Sequence, residues 1–497
     1  MVEAIRLVIQ PEVLGLWMAG MFFGVFVGAM PGLTATMATA ILVPITYYLS
    51  PLAGLSMIVG CVCVAIFAGD IPATYMRVPG TPSSGAAVLD GYEMTKQGKS
   101  SLALRLELIY SAMGGIIGFT LLIVAATALA AVALKFSFYE FFWLAIFGLS
   151  TSIIVSRGTL AKGAIAVAIG LFVSTIGIDI VSGYARFTFG SIDLLGGVSF
   201  IPAMIGLFGI PVILGTVAAP KRLHLPSVVE TEKFSLASTV PIIKRNKSLF
   251  LKSSLIGTFI GSLPGAGADI AAWVAYGIAK RASKQPEKFG TGCVEGVIAP
   301  TSANNAGLGG AWIPALALGI PGDSITAIVL GAAMIYGLRP GPMIFEGPSG
   351  DLIRGLFIVA LMTQFMLVPI GYLAIKSFGA LYKLPNNIIM PTILVFCIVG
   401  SYALRFSMFD VGIMLVFGFL GCFMERNEIP LVPLILAIIL GPLIERQLRT
   451  GLMKTGGDVL PFFNRPISIL VITAILLFLF WPKVETLISR IRGKGKN

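Results

Sequence analysis

The stretch Gly24-Val-Phe-Val-Gly28-Ala-Met-Pro31-Gly32-Leu-Thr-Ala35-Thr-Met-Ala38 decides the fold, because its pattern occurs a second time far along the chain. The second copy, Gly257-Thr-Phe-Ile-Gly261-Ser-Leu-Pro264-Gly265-Ala-Gly-Ala268-Asp-Ile-Ala271, aligns with the first without a gap. At nearly the same offset, Ile71-Pro-Ala-Thr-Tyr-Met-Arg-Val-Pro79-Gly80 aligns with Ile313-Pro-Ala-Leu-Ala-Leu-Gly-Ile-Pro321-Gly322. Two ordered blocks in each half predict two structural repeats, each interrupted twice at Pro-Gly.

The composition predicts a membrane protein. Of the 497 residues, 57% are hydrophobic and 12% are charged, and the mean hydropathy is +0.95. An average soluble domain carries about twice that charged fraction. Since about 20 apolar residues form one spanning helix, the apolar runs give roughly a dozen or more crossings, several too short to span alone. We therefore expect an all-α polytopic membrane protein with about 12 or more helices, some broken or re-entrant.

The basic residues give the expected orientation. The net charge of +12 lies in short stretches between apolar runs, which favours cytoplasmic loops over nucleic-acid binding. A basic cluster around Lys280 places both ends of the preceding segment pair on one face, so we expect a hairpin broken at Pro264-Gly265. Inverted topology follows if each repeat holds an odd number of crossings. The predicted organisation is a first membrane repeat at 1–220, a basic cytoplasmic connection at 221–252, a second membrane repeat at 253–482 and a basic cytoplasmic tail at 483–497.

Cysteine, histidine and motif counts argue against several classes of enzyme. The 5 cysteines include no Cys-x-x-Cys pair, and the only histidine, His224, lies in a basic loop. This composition argues against a disulfide framework, a metal site or a haem. The sequence has no Walker A motif, so transport energy is expected from an ion gradient. The first apolar run, Val13 to Met30, ends in Pro-Gly instead of a cleavage site, so no removable signal peptide is expected.

The Pro-Gly breaks predict a binding site in the membrane interior. A break leaves backbone N–H and C=O groups unpaired, at a cost of several kcal/mol each unless water, protein or ligand satisfies them. Transporters place such breaks around their substrates, with helix N-termini aimed at anionic groups. Helix N-capping explains the neighbouring Ser, Thr and Asp residues with no ligand at all. The candidate substrate-binding residues are Gly32, Thr34, Thr36, Thr81, Pro82, Ser83, Ser84, Gly265, Gly267, Asn304, Asn305, Gly322, Ser324 and Thr326.

Carboxylates inside a membrane are expensive and usually face a cavity or a partner. Asp70 and Asp323 lie close to the breaks, and a coupling cation needs oxygen ligands of this kind. We expect Asp90 to be solvated at a helix end and Arg77 to form an ion pair with Asp70, with contact to an anionic substrate as the second possibility. The candidate ion-coupling residues are Asp70, Asp269, Asp323 and Asn304. We expect no cofactor besides a transported Na⁺ or H⁺ and no metal site beyond it.

Three other classes of protein compete with a cation-coupled carrier: an intramembrane protease, a stand-alone carboxylate or anion carrier, and a channel. Gly265-Ala-Gly-Ala-Asp269 is similar to the Gly-x-Gly-Asp motif of intramembrane aspartyl proteases, but Ala268 displaces the aspartate by one residue, about 100° around a helix. No second aspartate motif accompanies it in the sequence. Protease activity that Asp269→Asn abolishes would identify a protease, and single-channel current without saturation would identify a channel.

The order of these motifs resembles the large membrane subunit of the tripartite tricarboxylate transporters, the TctA family. The resemblance implies a bacterial inner-membrane permease with its C-terminus in the cytoplasm, working with a small four-helix membrane subunit and a periplasmic solute-binding protein. It also implies uptake of citrate or other di- and tricarboxylates, with Na⁺ favoured over H⁺. From the two broken-helix repeats we expect an elevator-like movement of a substrate-carrying part against a fixed scaffold, and a homodimer of the complex is possible. The resemblance rests on Gly28-Ala-Met-Pro-Gly32, Ile71-Pro-Ala73, Pro79-Gly-Thr-Pro-Ser83, Leu89-Asp-Gly-Tyr-Glu-Met-Thr-Lys-Gln-Gly98, Leu263-Pro-Gly-Ala-Gly-Ala-Asp269, Ala303-Asn-Asn-Ala306 and Leu318-Gly-Ile-Pro-Gly322.

The sequence departs from that family pattern at two positions. Asp70 and Asp323 stand where a small residue such as serine is more usual. Extra acidic groups beside the breaks change both the charge offered to a substrate and the number of cations that the site can hold. The resemblance therefore does not fix the particular carboxylate or the ion stoichiometry.

Overall fold

The computed structural model describes residues 2–30, 33–77, 80–155, 159–179, 182–218, 239–381, 386–403 and 405–477. Among these residues the chain is almost entirely helical, which confirms the predicted all-α membrane fold. The helices are α1 (Val2–Val8), α2 (Pro11–Ala29), α3 (Ala35–Thr46), α4 (Pro51–Ala68), α5 (Asp70–Met76), α6 (Ser84–Lys96), α7 (Ser100–Ala133), α8 (Phe138–Val155), α9 (Leu160–Ser174), α10 (Phe200–Ala218), α11 (Val240–Arg245), α12 (Lys247–Gly261), α13 (Gly267–Ala282), α14 (Val294–Leu318), α15 (Ser324–Ile335), α16 (Gly347–Leu381), α17 (Asn386–Ala403), α18 (Met408–Arg426) and α19 (Leu431–Lys454).

Short elements connect some of these helices. A two-stranded antiparallel hairpin, β1 (Gly177–Ile178) and β2 (Ala185–Arg186), lies between α9 and α10. Single 3₁₀ turns occupy Pro286–Lys288, Pro342–Phe345 and Leu460–Phe462. The part of the chain that the structure describes contains 6 helical segments long and apolar enough to span a membrane. They are Pro11–Ala29, Pro51–Met76, Ser100–Ala133, Gly347–Phe378, Met408–Arg426 and Leu431–Lys454.

The helices form two groups. The core group consists of α2–α7 and α12–α16: α14 packs along α7, α12 and α13, while α4 packs along α2 and α16. The flanking group consists of α8–α10 and α17–α19: α10 packs on α17 and α18, and α19 packs on α8 and α9. Within the Pro51–Met76 span, 94% of the most apolar window is buried inside the protein. The centre of the core group is therefore shielded from lipid by other helices.

Glycine allows close helix contacts at matching places in both halves. A methyl group at Gly24 would overlap the carbonyl oxygen of Cys61, and one at Gly257 would overlap that of Ala303. Backbones this close gain dispersion contacts that a larger side chain would prevent. Gly28 against Ala65 and Gly261 against Gly307 repeat the same contact one turn further on.

The four predicted breaks fall between helices. In the second half, Pro264-Gly265 separates α12 from α13, and Pro321-Gly322 separates α14 from α15, so these interruptions are confirmed. Helices α12 and α13 pack against each other, which confirms the expected hairpin. In the first half, α2 ends at Ala29 before α3 begins, and α5 ends at Met76 before α6 begins.

Some predicted features lie outside the described residues: Pro31, Gly32, Pro79, His224, much of the 221–252 connection and the 483–497 tail. Helix α12 begins at Lys247, inside the range assigned to that connection. The division into domains remains a prediction.

Candidate functional site

The residues around the four breaks contact one another. We call Thr36, Gly80, Ser83, Gly265, Asp269, Gly322 and Ser324 the break cluster. Thr36 follows the first break of the first half, and Ser324 follows the second break of the second half. The Thr36 Oγ1 atom lies 3.2 Å from the Ser324 Oγ atom. The Ser83 backbone N–H donates to Asp269 Oδ1 across the other two breaks, with a distance of 3.1 Å. Both links join one half of the chain to the other.

Backbone contacts within each half complete the cluster. The Gly265 N–H donates to the Gly322 carbonyl at 2.7 Å, and the Gly80 N–H donates to the Gly69 carbonyl at 3.1 Å. A methyl group at Gly80 would lie 2.7 Å from the Gly69 Cα, and one at Gly322 would lie 2.7 Å from the Ala311 Cα. The backbone of the two halves therefore turns in the same way at corresponding positions.

Polar side chains cap the half-helices that leave the cluster. Thr34 accepts from the backbone N–H of Met37 at 3.1 Å at the start of α3. Asp323 Oδ1 accepts from the backbone N–H of Thr326 at 2.8 Å, and the Asp323 backbone N–H donates to Thr326 Oγ1 at 2.9 Å, which forms a capping box at α15. N-capping, which needs no ligand, thus accounts for the placement of Thr34, Asp323 and Thr326.

The start of α6 carries a hydroxyl network. Thr81 Oγ1 lies 2.7 Å from Ser84 Oγ and 3.0 Å from Ser83 Oγ, and all three side chains are buried. Ser84 also bonds to the carboxyl of Asp70, which is only 2% exposed. Hydroxyl groups can donate to an anion or accept from a cation-bound water, so this network suits either ligand.

One side of the cluster is open at the surface of the protein. Asp269 and Pro82 are exposed, and Thr36, Gly265 and Ser324 are half-buried. The Trp273 Nε1–H donates to the Pro82 carbonyl at 3.3 Å and ties α13 to the start of α6. Exposed polar atoms between broken helices of the core group are what a hydrated cleft requires.

The two adjacent amides differ in their surroundings. Asn305 donates to Ser111 Oγ on α7 and to Gln364 Oε1 on α16, each at 3.1 Å. Asn304 is 2% exposed, and its Oδ1 has no hydrogen-bond partner among the described residues. Asn304 shares a helix face with Gly307, which lies against Ala268 near the start of α13. Asn304 therefore lies on the face of α14 that packs on α13, and Asn305 joins three helices.

Two sequence expectations near the cluster are wrong. Asp90 is fully buried instead of solvated, because it accepts from the backbone N–H groups of Gly290, Gly292 and Cys293 and from the Tyr276 hydroxyl. These bonds replace its hydration and fix the connection between α13 and α14. Arg77 forms no described ion pair with Asp70. Its guanidinium carbon lies 5.8 Å from the centre of the Tyr92 ring.

Sequence reasoning missed Glu107 and Gln364. Glu107 is fully buried on α7 and accepts from the Thr74 hydroxyl at 2.6 Å. Gln364 is fully buried on α16. Each is a polar residue inside a long apolar run, and this alone marks a candidate functional or packing residue in a membrane helix.

Helices broken in the interior of a polytopic membrane protein, with polar ends that meet between two halves of the chain, are the architecture of a membrane transporter. Residues 14–436 match the model of the tripartite tricarboxylate transporter TctA family, so the chain belongs to that family, the large membrane subunit of a tripartite system. No solved structure matches the chain.

Two relatives from Agrobacterium vitis extend the comparison. One, described as an uncharacterized 52.8 kDa protein in the TAR-I ttuC′ 3′ region, is 33% identical over 454 residues, which cover 90% of this chain and 89% of the relative. The other, an uncharacterized protein in the TAR-II ttuC′ 3′ region, is 34% identical over 215 residues, 43% of this chain and 87% of the relative. The similarity to the first relative thus extends over nearly the whole chain.

Proposed function

We propose that this chain is the permease of a bacterial inner-membrane system that takes up di- or tricarboxylates such as citrate, driven by cation entry with Na⁺ favoured over H⁺. The observation that carries the proposal is the contact of the breaks of both halves, through Thr36 with Ser324 and Ser83 with Asp269. Helix N-termini at α3, α6, α13 and α15 then offer backbone N–H groups and hydroxyls to a carboxylate. Asp70, Asp269, Asp323 and Asn304 supply oxygen ligands for the cation.

The energy requirement favours several cations per cycle. Moving one elementary charge inward is worth about 2.3 kcal/mol per 100 mV. Because a tricarboxylate carries negative charge inward, more cations than anionic charges must enter for the membrane potential to assist uptake. The four acidic or amide side chains named for ion coupling provide more than one oxygen-lined position for this purpose.

The proposal includes two inverted repeats, supported by the ends of the half-helices. The Tyr336 hydroxyl after α15 bonds to the Thr46 carbonyl at the end of α3. Gln97 after α6 donates to the Thr291 carbonyl, in the connection after α13, at 2.8 Å. Helices α3 and α15 thus leave the break cluster toward one face and α6 and α13 toward the other. The basic residues near α6 and α13 make the second face cytoplasmic.

The transport movement in this proposal is elevator-like. The core group carries the break cluster and the substrate, and it moves against the flanking group. A periplasmic solute-binding protein delivers the carboxylate, and a small four-helix membrane subunit completes the permease, with two such complexes forming a homodimer. The tail after residue 482 lies in the cytoplasm. The family to which the chain belongs supports the two partner proteins.

The test is uptake of labelled citrate and related acids into proteoliposomes that contain the chain with its binding protein and small subunit. An inward Na⁺ gradient is expected to drive accumulation, and Thr36→Val is expected to lower the initial rate about tenfold, since the site loses a hydrogen bond to a charged ligand worth about 1.5–3 kcal/mol. Thr127→Val on α7 is the matched control, because Thr127 is an exposed residue whose described hydrogen bonds go to its own helix. Indifference to every carboxylate and to Na⁺ would defeat the proposal.

A further inference from the structure

Asp70 and Glu107 form a pair of buried carboxyl groups. The proposed function gives a role to Asp70 but none to Glu107 or to the pair. Asp70 begins α5 and Glu107 lies on α7, with exposed fractions of 2% and 0%. Asp70 and Thr74 share one face of α5, since they are four residues apart. The Thr74 hydroxyl donates to Glu107 Oε1 at 2.6 Å, and the two carboxyl groups interact electrostatically.

One oxygen of each carboxyl group lacks a donor among the described residues. Asp70 accepts from the Ser84 hydroxyl, but its Oδ1 is buried with no hydrogen-bond partner there. Glu107 accepts from Thr74, but its Oε2 is likewise buried with no described partner. An acceptor left without a donor in a dry interior costs about 1–3 kcal/mol, and more when it is charged. Two such atoms in neighbouring acids therefore need an explanation.

Basic side chains on the neighbouring helices do not neutralise the pair. None of the described ion pairs includes Asp70 or Glu107. Arg105 lies two residues before Glu107, about 200° around α7, and Arg77 lies over the Tyr92 ring. Glu93 on α6 pairs with Lys96 at 2.7 Å. The other titratable groups on the elements packed against α5 and α7 are Glu12, Cys61, Cys63, Asp90, Tyr110, Lys247, Lys252, Glu295, Asp351, Arg354, Tyr372 and Lys376.

We propose that Asp70 and Glu107 together form a proton-binding site in which one carboxyl group, protonated, donates to the other. One proton satisfies both orphan oxygens, because it turns one of them into a donor for its neighbour. Two carboxylates without a cationic partner cannot both stay ionised at close range in a low-dielectric interior.

The position of the pair connects proton binding to transport. Asp70 bonds to Ser84, and Ser84 lies 2.7 Å from Thr81 Oγ1 beside the break cluster. Release of the proton leaves two negative charges behind α6, which changes the orientation of the hydroxyl groups that would face a carboxylate. An O–H bond forms when a carboxylate of the pair takes a proton from the periplasmic medium, and the same bond breaks when the proton leaves to the cytoplasm. As a transport step, this inference rests on the proposed function.

Infrared spectroscopy tests the proton directly, with no substrate present. Purified chain in lipid nanodiscs at pH 7 is expected to show a protonated-carboxyl C=O band that shifts in D₂O. Asp70→Asn combined with Glu107→Gln is expected to remove one carboxyl from that band. Glu107→Gln alone, nearly isosteric and uncharged, serves if the double variant does not fold. Glu140→Gln is the control and should leave the band unchanged, because Glu140 is a buried carboxyl group with a cationic partner, Arg465 Nε, at 2.8 Å. Identical bands in the double variant and the wild type would overturn the inference.

A transport measurement tests the coupling. In proteoliposomes with equal Na⁺ on both sides, one coupled proton gives about tenfold accumulation of citrate per pH unit of gradient. Glu107→Gln is expected to lose that accumulation but to retain exchange of internal for external citrate. If the wild type takes up citrate with no response to a pH gradient, the coupling is wrong and the proposed function stands. If the infrared band behaves as expected and no carboxylate is transported, the proposed function fails and the proton site remains.

Discussion

The buried acidic residues of the flanking group and the acids near the breaks of the core group have different partners. In the flanking group, Asp179 lies 2.9 Å from a guanidinium nitrogen of Arg449, and Asp410 lies 2.8 Å from Arg405 Nε. In the core group, Asp90 and Asp323 accept from backbone N–H and hydroxyl groups. Asp410 and Asp90 are both fully buried, so burial alone does not distinguish the two groups.

This difference has a physical consequence. An arginine beside a carboxylate balances its negative charge and fixes the two elements that carry the pair. A hydroxyl or a backbone N–H also stabilises a carboxylate but brings no positive charge, so the negative charge of the site is not cancelled. The flanking group therefore uses its acids as fixed links between loops and helix ends. The core group instead stabilises these acids with neutral donors, so no cation is fixed beside them.

The largest expected effect concerns the close helix packing of the core group. Gly24→Ala forces a methyl group into the backbone of Cys61, so we expect a loss of about 3 kcal/mol in stability. The midpoint of unfolding in detergent measures it. Gly15→Ala, in the same helix with open space around it, is the control and should have little effect. Equal midpoints for the two variants would show that close packing does not hold the core group.

Next in size is the loss of an arginine from the flanking group. Arg405→Met leaves the carboxylate of Asp410 buried without its cation, and we expect a loss of about 2 kcal/mol, since Arg405 itself is partly exposed. The double variant Arg405→Met with Asp410→Asn should recover much of that loss, because no charge is then left unpaired.

The corresponding change in the core group is Tyr276→Phe. Asp90 then keeps its three backbone donors, so the cost should be near ~1 kcal/mol, below that of Arg405→Met. The same unfolding midpoints measure both variants. A larger loss for Tyr276→Phe than for Arg405→Met would reverse the comparison between the two groups.

The sequence predicts the backbone of the site better than its side-chain contacts. Pro264-Gly265 and Pro321-Gly322 interrupt helices as expected, because proline lacks a backbone N–H and glycine has a high entropic cost in a helix. The burial of Asp90 depends on Gly290 and Gly292, about two hundred residues away in the chain, whose N–H groups no local pattern indicates. Sequence proximity favours an ion pair of Arg77 with Asp70, whereas helix geometry places Arg77 over Tyr92.

Long-range contacts also explain why the sequence does not reveal the role of Glu107. This residue lies between leucines in an apolar helix, and its partner Thr74 is on another element, 33 residues earlier. A polar residue isolated in a spanning helix indicates a functional role more strongly than one near a turn, because helix capping explains many polar residues near turns. Ser83, Thr36 and Asp269, by contrast, lie near breaks that the internal repeat identifies.

The smallest expected effect on stability separates capping from transport. Asp323→Ala removes the cap of α15 and should cost about 1 kcal/mol, and Ser407→Ala, which removes the cap of α18 in the flanking group, should cost about the same. Only Asp323→Ala should also change citrate uptake, because α15 starts at the break cluster and Asp323 is a proposed cation ligand. The decisive measurement is the Na⁺ concentration for half-maximal uptake. It should shift in Asp323→Ala although the unfolding midpoints of Asp323→Ala and Ser407→Ala are the same. If both variants transport citrate with the same Na⁺ dependence, Asp323 acts only as a helix cap, and the acids proposed for cation binding are reduced to Asp70 and Asp269.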